Sequence, residues 1–355
     1  MIRNFIAPSL ALALLTAPLQ AQLAQNPEMR ARVEESVNRG LDYLAETLTE
    51  QGFYEGNHGQ TTGIPALAGM AFLSAGHLPG EGPYGDKINQ IIDYILNSAE
   101  PVQMGPMKNA AYFGRKQTGK MYSHSIATLF LSEVSGMVDP ERQKKIDEIL
   151  PDAVRLILDA QAVKKNEANA GGWRYEPNSQ DSDMSCSGWA LMALRSARLN
   201  GSPVPDEAID RAVKYVKRNH NKDSGFFGYQ NASGNPNTLT GAGILCLELC
   251  GRHNDEDSQR GVAYLKKNYT RLKGEQRAFY GLYYASQGLF QMGGEVWQSF
   301  ETWMYDTWIP EQKPEGFWER GEENCIPYQT AMCILAFTVP YRQLPIYQRD
   351  ETVDE

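Results

Sequence analysis

Apolar and polar positions along the chain follow one pattern that recurs six times. Each recurrence opens with a stretch in which apolar residues come at helical spacing with charges between them, as in VEESVNRGLDYLAETL from Val33 to Leu48. Such spacing predicts a helix buried along one side and solvated on the other. Related stretches run from Ile88 to Leu96, Ile146 to Leu158, Ala208 to Val216, Gly261 to Leu265 and Val296 to Trp308. After each comes a second stretch, apolar nearly all round and rich in Gly, Ala and Ser. These begin at Thr61, Tyr122, Met184, Asn237, Arg277 and Tyr328, and they predict helices that are buried and closely packed. Gly76, Gly136, Gly201 and Gly251 end four of them, as suits a left-handed C-cap. Between the two helices of a unit lies a glycine-aromatic turn: Gly52-Phe53-Tyr54, Tyr112-Phe113-Gly114, Gly172-Trp173, Gly225-Phe226-Phe227-Gly228-Tyr229 and Gly316-Phe317-Trp318. The fifth unit has no clear counterpart.

Six helical hairpins can stack as an open solenoid or close into a ring. A solenoid needs polar, atypical end units, yet the last inner-type helix, YQTAMCILAFTVP, is as apolar as the middle ones. The expectation is therefore an all-α fold, an α/α toroid of six inner helices within six outer ones. Its cavity is lined by the ends of the inner helices. No Pro/Ser linker or composition shift divides the chain, so residues 33–340 read as a single domain and 341–355 as a polar tail. The last stretch, RDETVDE from Arg349, is expected to be disordered.

Charge and the N-terminus narrow the setting. A net charge of -9 and a pI near 5.3 argue against nucleic acid, which calls for clustered Lys and Arg. Residues 1–24 carry Arg3, an apolar run from Phe5 to Leu15 and small residues from Ala17 to Ala24, the makeup of a cleaved signal peptide ending at Ala21 or Ala24. A secreted or periplasmic location is expected, with no stable membrane span, since no other segment has the ~18 uncharged apolar residues required. Five cysteines leave at least one unpaired. Buried, inert thiols are expected, because Cys246 and Cys250 sit four apart on one helix, where regular geometry keeps their sulfurs from bonding.

The third unit carries the most specific motif. Gly171-Gly172-Trp173-Arg174-Tyr175, then Asp181-Ser182-Asp183-Met184-Ser185 and Gly188-Trp189-Ala190-Leu191, resembles the prenyltransferase and squalene-cyclase repeat superfamily. The likeness is greatest to its exported, single-toroid members. In class II terpene cyclases of that superfamily an Asp-x-Asp-Asp motif supplies the acid. The resemblance implies that role for Asp183 with Asp181 beside it, but Met184 replaces the third carboxylate. Two close carboxylates can keep one proton between them, whereas either aspartate also suits a helix N-cap. The zinc histidine of protein prenyltransferases is replaced by Gln329, and none of the five histidines has a metal-ligand spacing, so neither a metal nor another cofactor is expected. A thioester is excluded because Cys325 and Gln329 are four apart. A polysaccharide lyase with a cationic base has Arg174, Arg277, Lys108 and Lys120 to draw on.

Polar and aromatic residues near the inner-helix starts are the remaining candidates for the cavity wall: His58, Tyr122, His124, Asn237, Arg277, Tyr280, Tyr328 and Gln329, with Trp173 and Tyr175 from the turn. Packing between hairpins competes with ligand contact at Trp173 and Tyr175, and a satisfied buried imidazole competes with it at His124. Two function classes stay open. One is a binding protein that holds an apolar or extended ligand, an isoprenoid or a glycan, or an envelope protein, in the toroid's mouth. The other is an enzyme, either a reduced cyclase-type isomerase using Asp183 or a lyase.

Overall fold

A computed structural model describes residues 26–347, except 57, 59, 104, 115–118, 254 and 321–324. Among these residues twelve α-helices alternate between an outer and an inner ring. The outer helices are α1 (Pro27–Thr47), α3 (Gly85–Asn97), α5 (Pro140–Ala162), α7 (Asp206–Arg218), α9 (Glu256–Asn268) and α11 (Gly294–Trp308). The inner helices are α2 (Gly63–Ser74), α4 (Met121–Val134), α6 (Met184–Leu199), α8 (Pro236–Leu249), α10 (Ala278–Met292) and α12 (Ile326–Thr338). Every expected helix is present, the outer ones extended at their polar ends, where charges mask the periodicity. In α2, for example, all residues but Ile64 are buried, whereas α7 buries only its Ala208, Ile209, Ala212, Val213, Tyr215 and Val216 stripe. A two-residue antiparallel pairing of Glu100–Pro101 with Ala111–Tyr112 is the one named sheet among the described residues.

The inner helices form a closed ring: α2 packs on α4, α4 on α6, α6 on α8, α8 on α10, α10 on α12, and α12 returns to α2. The seam repeats a joint used inside the ring. Between units three and four, Gln161 donates from Nε2 to the carbonyls of Gly171 (3.0 Å) and Ala208 (2.8 Å), while Arg211 donates to Gln161 Oε1 (2.9 Å). At the seam, Gln312 donates from Nε2 to Gly316 O (2.7 Å) and Ser36 O (2.8 Å), and Ser36 Oγ donates to Gln312 Oε1 (2.9 Å). Arg39 adds a bond to Lys313 O at 2.6 Å. Each joint needs a glycine. Gly171 (φ +90°) and Gly316 (φ +97°) lie so close to the next outer helix that a Cβ would stand 2.2 Å from Arg211 O or Arg39 O, and no side chain tolerates that contact or favours that φ.

The turn aromatics pack the hairpins. Trp173 and Trp318 donate their indole N–H groups to Ile157 O and Trp308 O, both at 2.7 Å, on their own outer helices. Backbone N–H groups of Trp173, Phe227 and Trp318 donate to Ser187, Thr240 and Thr330 hydroxyls on the inner helices. In the fifth unit, where no aromatic turn was expected, a 3₁₀ turn over Tyr269–Gly274 buries Leu272 instead.

The domain is wider than expected. Asn26 caps α1 through Met29 N (3.1 Å), seven residues before the Val33 boundary. At the other end, Leu344, Ile346 and Tyr347 are buried, with Ile346 N donating to Glu133 Oε2 (3.1 Å). Residues 341–347 thus belong to the packed body and not to the tail, because their apolar side chains close the ring opposite the inner-helix starts. The signal-like segment 1–24 and the acidic stretch 349–355 lie outside the described residues. All five cysteines are free and buried. No helix among the described residues is long and apolar enough to cross a membrane.

Candidate functional site

All six inner helices start at one face of the ring, and their first turns enclose a cavity of about 570 Å³. Its wall is aromatic and polar at once. Tyr122, Tyr175, Tyr229, Tyr280 and Tyr328 line it with Trp189. Ser123, Ser185, Thr61, Thr238 and Asn235 lie between them, and Ile64, Leu67, Ile126 and Leu239 form its apolar part. Among the described lining residues there is no Asp or Glu, and the charged group is Arg277.

Behind the tyrosines sits Arg174. Its Nη1 donates to Asp183 Oδ2 (2.8 Å) and to the Tyr229 hydroxyl (3.0 Å), and its Nε lies 3.2 Å from Asp181 Oδ2. The guanidinium also stacks 4.4 Å from the centre of the Tyr175 ring, a cation–π contact. The hydroxyls of Tyr175 and Tyr229 share a hydrogen bond of 2.5 Å. One cation therefore fixes two of the five wall tyrosines.

Asp183 is fully buried and is the N-cap of α6. Its Oδ1 accepts from Cys186 N (2.8 Å) and Ser185 Oγ (2.5 Å). Every contact to this carboxylate comes from a donor, the pattern of a cap at the positive end of a helix. Asp183 does not line the cavity, and Asp181, half-exposed, does not either. The relay reaches the wall one residue further on: Tyr122 hydrogen-bonds Ser185 Oγ, and Tyr280 donates to Ser185 O (3.3 Å). Burial holds the Tyr122 and Tyr280 hydroxyls well above their ordinary pKa, so both remain protonated donors.

Six expected wall residues are at the cavity, among them Tyr175, Arg277, Tyr280 and Tyr328. Four others stand behind the wall, and in each case a packing demand explains why. Trp173 is buried between the hairpin helices by the indole bond to Ile157. His124 accepts at Nδ1 from Phe113 N (3.4 Å), so its Nε2–H is left to donate to Ala153 O (3.0 Å); burial lowers its pKa to about 4. It fills in unit two the place that Ser187, Thr240 and Thr330 fill elsewhere. Asn237 donates to Glu275 (2.5 Å) and accepts from the Tyr264 hydroxyl (2.9 Å). Gln329 grips the backbone of Arg320, accepting from its N–H (2.9 Å) and donating to its carbonyl (3.0 Å). His58 and Tyr122, also expected, line the cavity.

Sequence reasoning missed Tyr229, Ser185 and Trp189. Tyr229 had a signal: it follows Phe227 by two residues as Tyr175 follows Trp173, and in an extended turn residues two apart share a face. Both tyrosines also use their carbonyls on the preceding inner helix, Tyr175 O accepting from Met121 N (3.0 Å) and Tyr229 O from Met184 N (2.8 Å).

No group of three or more His, Cys, Asp and Glu side chains among the described residues is arranged to hold a metal ion. Fold and site together define an α/α toroid with a tyrosine-lined mouth. Among solved structures the chain is similar to an α-1,6-mannanase, GH76A of Salegentibacter sp. HEL1_6, in an inactive variant bound to α-1,6-mannotetrose. The TM-score is 0.61 at 10% identity, over 87% of this chain and 99% of that one. It is similar also to the type II terpene cyclase MstE from Scytonema with geranylgeranyl dihydroxybenzoate, at TM-score 0.58 and 12% identity, over 90% and 100% of the two chains. A protein described as a glycosidase matches at TM-score 0.55 and 11% identity, over 90% and 99%. At these identities the likeness is one of fold. No protein family and no curated protein matches the sequence.

Proposed function

We propose that the protein binds an extended carbohydrate in the mouth of the toroid, without a metal and without chemistry on the ligand. The observation that carries this reading is the wall: five tyrosines and Trp189 offer flat π faces together with hydroxyls, and Ser, Thr and Asn fill the gaps. A sugar ring has C–H faces to stack and hydroxyls to pair. An isoprenoid has nothing to offer the lone pairs that these hydroxyls keep beside their bonds within the protein.

Binding is favoured over catalysis by what faces the cavity. Glycoside hydrolysis takes a pair of carboxylates across the scissile bond, and no described lining residue is acidic. Acid catalysis by Asp183 would need its carboxyl turned to the ligand, whereas Arg174, Cys186 and Ser185 occupy it. The fold accommodates either ligand class in its neighbours, a mannotetrose in one and a geranylgeranyl compound in another. The signal-like residues 1–24 support a secreted or periplasmic setting, where glycans and envelope proteins are the available occupants.

The test is native mass spectrometry with solvent extraction on protein purified from its exported compartment, followed by calorimetric titration with defined oligosaccharides. Saturable oligosaccharide binding is the expected outcome. A co-purifying isoprenoid together with no oligosaccharide binding overturns the reading.

A further inference from the structure

Arg277 is the N-cap residue of α10 and stands exposed at the cavity rim. Its guanidinium makes no hydrogen bond or ion pair with any described residue. The neighbouring cations are engaged: Lys120 with Glu176, Arg174 with Asp181 and Asp183, Lys273 with Glu311 at 2.8 Å. In a chain of net charge -9, a cavity with one unpaired cation and no described carboxylate on its wall is a local inversion of charge.

Two further features act in the same direction. Inner helices α4, α8, α10 and α12 start at this mouth without a side-chain cap and without an acidic residue in the first turn, so the positive ends of their dipoles add to the donors there. Arg174 donates to Tyr229, and the cooperative order Arg174 to Tyr229 to Tyr175 ends in a Tyr175 O–H free to donate at the wall. Tyr175 is 38% exposed. The mouth is therefore rich in donors, one of them a guanidinium, whose fork matches a carboxylate. The acidic surface elsewhere does not prevent this, because charges more than ~8 Å apart are screened at physiological salt.

We propose that the cavity selects an acidic carbohydrate, a chain of sugars bearing carboxylates, and that Arg277 is the residue that reads the carboxylate. This rests on the carbohydrate reading above. The experiment titrates the protein with oligogalacturonate, oligomannuronate and oligoglucuronate, each paired with its carboxyl-reduced form of equal length. The variants are Arg277→Gln, Arg277→Lys and, as a control for overall charge, Lys273→Gln. At least one acidic form is expected to bind about tenfold or more tighter than its reduced partner, the scale of one charge-assisted hydrogen bond. Arg277→Gln removes that preference, Arg277→Lys retains part of it, and Lys273→Gln leaves it unchanged. Equal binding of acidic and reduced forms, or a preference that survives Arg277→Gln, overturns the role of Arg277 and leaves the carbohydrate reading standing. Failure of every pair to bind overturns both. Far-UV circular dichroism verifies the fold of each variant, and Arg277, an exposed residue, is not needed for it.

Discussion

Arg174 donates to Asp183 Oδ2 across 2.8 Å, and through this pair the cap of α6 and the tyrosine wall share one anchor. Arg174→Met leaves a fully buried carboxylate without its cation. The expected loss is roughly 2–4 kcal/mol, below that of a fully enclosed pair because Arg174 keeps 19% of its side chain in water. Asp183→Asn keeps an acceptor for Cys186 N and loses about 1–3 kcal/mol. Urea denaturation measures both. Oligosaccharide affinity should survive Asp183→Asn within about twofold, a small fraction of the 1.4 kcal/mol that tenfold represents. If instead a reaction product vanishes while the fold persists, Asp183 is an acid and the binding-only reading is wrong.

Gly316→Ala places a Cβ against Arg39 O at φ +97°. A loss of about 2 kcal/mol or more is expected from strain and contact together. At Gly274, around which a Cβ meets open space, the same change should stay within about 0.5 kcal/mol, as a surface substitution does. Comparing the thermal midpoints of the two variants checks the ring joint; equal midpoints would mean that the seam contributes nothing.

Two buried groups give stability opposite slopes with pH. Burial raises Glu133 from 4.5 to about 7. Between those values the native state keeps a proton that the unfolded chain has released, so stability falls as pH rises through the window, by about 3 kcal/mol in all. His124 is lowered from 6.5 to about 4, so stability falls as pH drops through that window, by a similar amount. From pH 4.5 to 6.5 the two contributions cancel. Glu133→Gln unmasks the His124 slope: the variant loses stability on acidification across a range in which the wild type is level. Denaturant midpoints at a series of pH values test this, and parallel profiles for the two proteins would refute the Glu133 assignment.

The ring was legible because its signals are local and repeated: the stripe of α7, the small-residue run of α2 and the turn glycines each state their own role. The wall was half legible. Arg277, Tyr280 and Tyr328 were found because they lie at helix starts, and a helix start in a toroid faces the mouth. His124, Asn237 and Gln329 also lie near helix starts but point sideways to secure a neighbouring turn, and first-turn position alone does not distinguish the two directions. Asp183 shows a further limit. Asp-x-Asp ahead of an inner helix suits acid chemistry and capping equally, and only the position of Arg174, nine residues earlier, separates them.

A closed ring has no privileged first unit. Arg39 and Lys313, 274 residues apart, meet at a joint built like the one between Gln161 and Arg211, only 50 residues apart. Closing so long a loop costs more entropy than closing a short one, so the seam between α12 and α1 should be the last interface to form, and the slow one. Tyr341, beyond α12, lies near Arg30 and Glu34 at the start of α1, so the two ends of the body can be joined by a short linker. A circular permutant reopened between α6 and α7 would keep every contact, turn the present seam into a local junction, and shift the late step of folding to the opposite side of the ring.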